Sequence, residues 1–593
     1  MRRPKRFSRI KTKHYHHRIT ALFGVFLFIS LVFITKLFVI QVLNHDKYTA
    51  LAKEQHWDVQ VLPARRGNIL SNDGFPLATT QVSYLLYAEP KKISDPNTLS
   101  TVLAETISKF DYPKNTEKQA QSYLEYKDSY SRLMGYDLYW VALARSLSPK
   151  QKEYIENMDL EGIGFEEHPI RYYPEGSLSA HVLGFVASNN EGEDQGYYGV
   201  EGRLDGDLRG KPGRILEERD ALGNPILVGG YSKIPPIQGG DVVLTVNRAV
   251  QYIVEKRLKE GVEATGAQSG TVIVMNPSTG DVIALANYPT YVPNDFNDNE
   301  VDESTEAEPV QRRNLAISET YEPGSVIKAL TIAAGIDSGK ITPYTTFIDS
   351  GPVEYSDYTI DNWDKRHHGE QNIIQLLQKS NNIGSAWVGH VLGANTLSSY
   401  FKEFGLGAIT GIDLEGEDTG IIHDYTTWTD IDLATAAFGQ GISATPLQVL
   451  TAFNAIANNG VLMQPRVISQ IVDNGNVITL KPKEIRRVIS QDSAQTVTDM
   501  LVQAVDGGES KFYNLQNYVI AGKTGTAQIP VEGKYDPNKT NATFVGYLAT
   551  TKKYSMLVRL NQPESSIYAA ETAVPLWMNI TQDLVNYYGI LPD

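Results

Sequence analysis

Ser325 and Lys328 stand three positions apart, directly ahead of the apolar stretch Ala329–Ile336. Pro323-Gly324 is a natural break before a helix. Ser325 is therefore expected in the first turn of that helix, with Lys328 one turn on and on the same face. A serine hydroxyl is a weak nucleophile until a neighbour takes its proton, and a lysine does this when burial or nearby positive charge lowers its pKa. The helix N-terminus also favours negative charge developing on an attacked carbonyl. The pattern alone is not selective. Ser-x-x-Lys occurs three times, at Ser8/Lys11, Ser325/Lys328 and Ser399/Lys402. The first lies in a basic tail, and the third reads as the solvated face of a polar helix.

Two further groups narrow the choice. Ser380-Asn381-Asn382 follows a helix expected over Ile373–Lys379. A second hydroxyl near the first relays a proton to a leaving amine, and the Asn382 carboxamide suits the amide groups of a peptide. Ser-x-Asn recurs at Ser188/Asn190, in a turn that needs no function. Gly522-Lys523-Thr524-Gly525-Thr526 is the most specific group and lies in a β-type run. Lys523 brings positive charge, the hydroxyls of Thr524 and Thr526 suit a substrate carboxylate, and Gly525 allows a ligand backbone to approach the strand. The alternative reading, the end of a phosphate-binding loop, fails because the opening glycine is absent and the run leads into a strand. Ser-x-x-Lys, a Ser-x-Asn-like group and Lys-Thr-Gly form the set used by penicillin-binding proteins and class A serine β-lactamases. Only the 325/380/523 combination has that order within one domain.

The elements that must position these groups begin near residue 247. A helix is expected over Gln251–Gly261, then a hairpin of Thr271–Met275 and Val282–Ala286 around the turn Asn276–Asp281. Helices fill most of 323–460, strands follow at Tyr518–Gln528, Ala542–Ala549 and Tyr554–Asn561, and a last helix covers about 570–588. Strands at both ends with helices between them predict an α+β domain, an antiparallel sheet packed against helices. An acidic run over 294–311, with seven acids between Asp295 and Glu308, reads as a solvated loop. Upstream, 97–160 is polar and reads as helical, 171–240 is Gly-rich and mixed, and Val242–Val246 reads as a strand after the turn Gly239-Gly240-Asp241.

At 593 residues the chain is too long for one core. Its net charge of -15 argues against a nucleic-acid partner. It has no cysteine, which excludes disulfides, thiolate metal sites and cysteine nucleophiles. The charge is uneven: residues 1–18 hold eight basic side chains and no acid. Ile19–Leu43 supplies about the ~20 apolar residues that a membrane-crossing helix needs, with Lys36 placed to snorkel. The run continues through Phe38, Val39, Ile40, Val42 and Leu43 with no small-residue cleavage pattern, so it is expected to be a retained anchor. The basic tail places the N-terminus in the cytoplasm and the bulk of the chain outside.

From the anchor onward the sequence resembles the class B penicillin-binding proteins. Arg66-Gly67-Asn68-Ile69 with Asp73-Gly74 and Leu77-Ala78 looks like the family's pedestal signature, and Gly199-Val200-Glu201 with Leu208-Arg209-Gly210 is similar to a second pedestal block. Asn276-Pro277-x-Thr279-Gly280, Phe438-Gly439-Gln440-Gly441 with Thr445-Pro446-Leu447-Gln448, and Phe544-Val545-Gly546 are similar as well. The resemblance implies a basic tail (1–18), a transmembrane helix (19–43), an elongated pedestal of dimerisation type (44–246) and a transpeptidase domain with a five-stranded sheet (247–593). It implies that Ser325 attacks the penultimate D-Ala carbonyl of a stem peptide, with Lys328 as base, Ser380 as proton relay and Asn382 positioning the substrate. Lys523, Thr524 and Thr526 would engage the substrate carboxylate, and backbone N–H groups of Ser325 and Thr526 would form the oxyanion hole. No metal or cofactor is implied. The implied partners are stem peptides ending in D-Ala-D-Ala, β-lactam antibiotics, and a lipid II polymerase of the SEDS family in the bacterial cell membrane. Tyr321-Glu322-Pro323-Gly324-Ser325 looks more like the division-type than the elongation-type enzymes, although Val326-Ile327 and Lys379 depart from the commoner pattern. No further domain is expected after the final helix. A bifunctional wall synthase, a β-lactamase and a multi-spanning sensor fit the layout less well, and the retained serine and lysines disfavour a pure scaffold.

Overall fold

The computed structural model describes residues 13–49, 57–189, 192–218, 231–296, 310–355, 358–531 and 533–593. Most of the basic tail, the copy at Ser8/Lys11, Asn190 and most of the acidic loop lie outside the described residues. The chain separates into two units, 1–64 with 211–237 and 65–210 with 238–593.

In the first unit an α-helix, Lys13–Phe38, continues as a π-helical turn, Val39–Leu43. Its stretch His17–Leu43 is long and apolar enough to cross a membrane. Side chains such as Phe23, Phe26 and Phe33 stand exposed along it, as a lipid-facing helix requires. A three-stranded antiparallel sheet completes the unit, with Gly213–Glu218 between Trp57–Leu62 and Tyr231–Ile234.

The second unit holds two larger sheets. In the first, Asp241–Leu244 pairs in parallel with Ile69–Leu70 and antiparallel with Ile468–Asp473. A strand from the C-terminal half therefore completes the sheet that begins at the Arg66-Gly67-Asn68-Ile69 block. The two upstream sequence blocks meet at a buried ion cluster. Arg66 Nε donates to Glu201 Oε2 (2.6 Å), Arg171 Nε to Glu201 Oε1 (2.6 Å), and Arg66 Nη1 to Asp205 Oδ1 (2.7 Å). Glu201 is fully buried, so removing either arginine would leave part of a desolvated charge unpaired.

The second sheet carries the chemistry-bearing strand. Helix α1 (Arg248–Thr265) is capped by Asn247, whose side chain accepts from Val250 N–H, and leads into β1 (Ser269–Met275) and β2 (Val282–Tyr288). Helices α2 (Lys328–Asp337), α3 (Asn382–Leu392), α4 (Pro446–Ala457) and α5 (Gln491–Gly507) follow. Strands β3 (Ile520–Val531), β4 (Lys534–Leu548) and β5 (Ser555–Asn561) then precede α6 (Ala573–Tyr588). The order is β2-β1-β5-β4-β3, antiparallel throughout, which is the expected five-stranded sheet. Both faces are covered. On β1, Val272 and Val274 join the core formed with α1 and α6, while Ile273 and Met275 join the core of the central helices. That is why these strands read as continuous apolar runs instead of alternating ones. Trp577 of α6 is fully buried, donates through Nε1 to Met556 O (2.9 Å) and stacks edge-on against Phe544 (5.2 Å).

Two expectations need correction, and one group of strands was not foreseen. Val141–Leu147 is a strand inside the stretch read as helical, paired with Tyr84–Ala88. The helical span 323–460 is interrupted by short strands at Thr346–Asp349, Val353–Tyr355, Tyr358–Ile360 and Gly369–Asn372. Strands Val461–Met463, Ile468–Asp473, Asn476–Thr479 and Glu484–Arg487 have no counterpart in the sequence reading. Most of these strands are three or four residues long, too short for period-2 alternation to be legible.

Candidate active site

Ser325 lies in a 3-10 turn, Gly324–Ile327, that runs without a break into α2. Gly324 has φ +59°, and a Cβ there would stand 3.0 Å from Ala527 Cβ on β3. A Cβ on Gly525 would stand 2.8 Å from Pro323 O. The serine turn is thus seated on the strand that carries the Lys-Thr-Gly group. On the side where a Cβ would project, the close approach at Gly525 is made by the chain's own Pro323. On the other side Gly324 N–H donates to Gly439 O (3.0 Å), and Gly441 N–H donates to Glu322 Oε1 (3.0 Å). The Phe438–Gly441 block therefore frames the serine turn.

Ser380 follows the helix Ile373–Gln378 with φ +50°, a left-handed conformation that turns the chain sharply into α3. Asn381 Oδ1 caps α3 through Gly384 N–H (2.7 Å). Lys328 is fully buried, and its Nζ donates to Ser380 O (2.6 Å), Asn382 Oδ1 (2.8 Å) and Ser380 Oγ (3.3 Å). Lys523 is also buried, and its Nζ donates to Thr524 Oγ1 (3.0 Å), Ser380 Oγ (3.1 Å) and Thr524 O (3.2 Å). Two amines thus converge on the Ser380 hydroxyl. Burial pushes both lysines below the usual range; Lys523 pushes Lys328 down further, and Glu509 opposes the shift at both.

Asn382 is occupied at both ends. Its Oδ1 accepts from Lys328, and its Nδ2 donates to Asp361 O (3.0 Å). Its amide oxygen thus holds the lysine, and one of the two Nδ2 protons is used by Asp361. Thr524 Oγ1 donates to Glu509 Oε2 (3.0 Å), and Thr526 Oγ1 accepts from Ala569 N–H (3.1 Å). The competing Ser399 and Lys402 lie exposed on the helix Ala394–Glu403.

Sequence reasoning missed three supports of the site. Asp349 is buried and its Oδ2 accepts from Asn381 Nδ2 (2.7 Å), Asn362 Nδ2 (2.9 Å) and His368 N–H (3.1 Å). Asn362 Oδ1 accepts from Asn382 N–H (3.1 Å), so Asp349 and Asn362 together hold the Ser380–Asn382 turn. Glu509 is the third. None stands at a spacing that marks a motif, and only proximity in the fold reveals them. Two amines of lowered pKa that share the Ser380 hydroxyl, one of them at the start of the helix that follows the Ser325 turn, are a set that can move protons to and from an acyl-transfer centre.

Residues 270–582 match the family described as the penicillin binding protein transpeptidase domain, and 61–244 match the penicillin-binding protein dimerisation domain. The protein is thus a transpeptidase of the penicillin-binding fold. It is 32% identical over 578 residues to the stage V sporulation protein D of Bacillus subtilis (strain 168), covering 96% of this chain and 85% of that one. It is 29% identical over 539 residues to the probable peptidoglycan D,D-transpeptidase PenA of Neisseria meningitidis (serogroup B, strain MC58), covering 90% and 86%. Penicillin binding protein 3 from Mycobacterium tuberculosis, solved in complex with aztreonam, superposes with a TM-score of 0.66 at 26% identity, covering 90% and 98%. The chain belongs to the class B penicillin-binding proteins.

Proposed function

We propose that this chain is a membrane-anchored serine D,D-transpeptidase that cross-links peptidoglycan stem peptides in septal wall synthesis through an acyl-enzyme on Ser325. The observation that carries the reading is the convergence of Lys328 and Lys523 on the Ser380 hydroxyl, beside the turn that bears Ser325. Lys328, in its neutral form, takes the Ser325 proton as Oγ attacks the penultimate D-Ala carbonyl. Backbone N–H groups of Ser325 and Thr526 receive the oxyanion. Ser380 passes a proton to the departing D-Ala amine, and Asn382 positions the substrate while its amide oxygen keeps Lys328 in place. Lys523, Thr524 and Thr526 receive the carboxylate of the stem peptide, and Gly525 keeps their strand against the serine turn. An amine from a second stem then attacks the acyl-enzyme and frees Ser325. β-Lactams enter the same site; the relative solved with aztreonam supports binding of that class.

The layout follows: a pedestal over 44–246 and the transpeptidase domain over 247–593, outside the membrane, with the basic tail in the cytoplasm. Purified chain given a stem pentapeptide and an acceptor amine is expected to release D-Ala and form cross-linked dimer, with both products lost after penicillin treatment. D-Ala release with hydrolysis alone would make the enzyme a carboxypeptidase.

The anchor serves recognition as well as tethering, and its partner is a multi-spanning SEDS polymerase. Phe23, Phe26 and Ser30 combine large and small side chains at helical spacing on the exposed helix, as a packing face does. Replacing 19–43 with an unrelated spanning helix should preserve penicillin labelling in membranes and weaken co-purification with the polymerase. Unchanged co-purification would reduce the segment to a tether.

A further inference from the structure

Glu509 opens the 3-10 turn Glu509–Tyr513, which leads from α5 toward β3. Its Oε2 accepts the hydroxyl proton of Thr524 (3.0 Å), and Thr524 Oγ1 accepts in turn from Lys523 Nζ (3.0 Å). A threonine hydroxyl has one proton to donate. While Glu509 holds that proton, Thr524 has none for the carboxylate of an incoming ligand. A ligand carboxylate arriving there also meets like charge in a partly buried setting, where repulsion is weakly screened.

We propose that Glu509 is a specificity-determining residue: in the free enzyme its carboxylate occupies the hydroxyl that would bind a ligand carboxylate, and it disfavours ligands that bring one. The proposal rests on the reading that Lys523, Thr524 and Thr526 receive that group. The influence of Glu509 extends past Thr524, since it is the one acid that raises the proton affinity of both Lys328 and Lys523 among the described residues. It has a consequence for direction. Released D-Ala brings its carboxylate to this position, and Glu509 regains the hydrogen bond from Thr524 as it leaves. The acyl-enzyme is then left with its carboxylate subsite closed to the leaving group and Ser325 still acylated for the incoming amine.

The test compares acylation of the full-length, detergent-solubilised chain by benzylpenicillin and by its neutral methyl ester. Wild type, Glu509→Gln and Glu509→Ala are measured side by side. Both variants remove the charge, and only the glutamine retains an oxygen able to accept from Thr524. The acid-to-ester ratio of second-order acylation rates is expected to rise about tenfold in both, as relief of like-charge repulsion requires. The ratio cancels any loss that folding or a lowered Lys328 basicity imposes on both ligands. A ratio within twofold of wild type in either variant overturns the proposal. Mapping the adduct in the wild-type chain separates the two readings. A label away from Ser325 overturns the site assignment, whereas a label on Ser325 with an unchanged ratio overturns only the role of Glu509.

Discussion

Ser325→Ala is expected to abolish covalent labelling by penicillin, while Ser399→Ala leaves it intact. Both serines stand three residues before a lysine on a helix, so the Ser-x-x-Lys spacing alone does not separate them. The structure does. Ser325 sits in a glycine-framed turn against β3, next to a buried lysine, whereas Ser399 and Lys402 are exposed. The exposed pair lacks the burial that sets Lys328 apart. Loss of a serine nucleophile in a comparable acyl-transfer enzyme costs about 10⁶ in rate, which no label survives. Ser325 is partly exposed and its replacement removes a single oxygen, so the variant should fold with a stability change within about 0.5 kcal/mol. Intact-mass spectra of both variants check the prediction, and an adduct on Ser325→Ala would sink the assignment.

The contrast between those two serines marks where sequence reasoning succeeds and where it stops. The five strands of the catalytic sheet were legible because both their faces are buried, which makes Val272–Met275 or Phe544–Tyr547 apolar almost without interruption. The Lys-Thr-Gly strand was legible because a lysine inside a β-forming run is headed for burial, and a buried amine needs polar partners or a chemical task. The supports of the site were not. Asp349 reaches Asn381 across 32 residues of sequence, and Glu509 reaches Thr524 across 15, from the end of a four-residue strand and the start of a short 3-10 turn, both too short for a periodicity to show. A carboxylate at such a place reads as solvated until the fold encloses it. Gly525 shows the converse. Its type suggests a close approach, and one is made by Pro323, a group that no local pattern could name. The strand Ile468–Asp473 was missed although Asn474-Gly475 marks a hairpin to Asn476–Thr479; only its second partner, Asp241–Leu244, lies more than two hundred residues upstream.

Lys523→Met should slow acylation by about 10²–10³ at neutral pH, the usual loss when a donor aimed at developing charge is removed. Methionine has a similar length and no charge, so the buried space stays filled and the domain should fold. Two effects of the lysine then separate by their pH dependence. The hydrogen bonds to Ser380 Oγ and Thr524 are lost at every pH. The electrostatic effect on Lys328 is not constant. Lys523 is one of the two causes that hold Lys328 below its ordinary range, so its removal raises the Lys328 pKa. If neutral Lys328 is the base, the acidic limb of the acylation profile reports the loss of its proton. That limb must move to higher pH in the variant, and the deficit must shrink as pH rises. Glu509→Gln provides the opposite sign. Glu509 pushes Lys328 upward, so its neutralisation should move the same limb to lower pH. Acylation rates of wild type and both variants across the pH range, followed by fluorescent penicillin, measure all three profiles. Limbs that stay where they are in both variants would remove Lys328 from the role of base, whatever the size of the rate loss. A Lys523→Met rate within a fewfold of wild type at every pH would show that its charge is dispensable at the site.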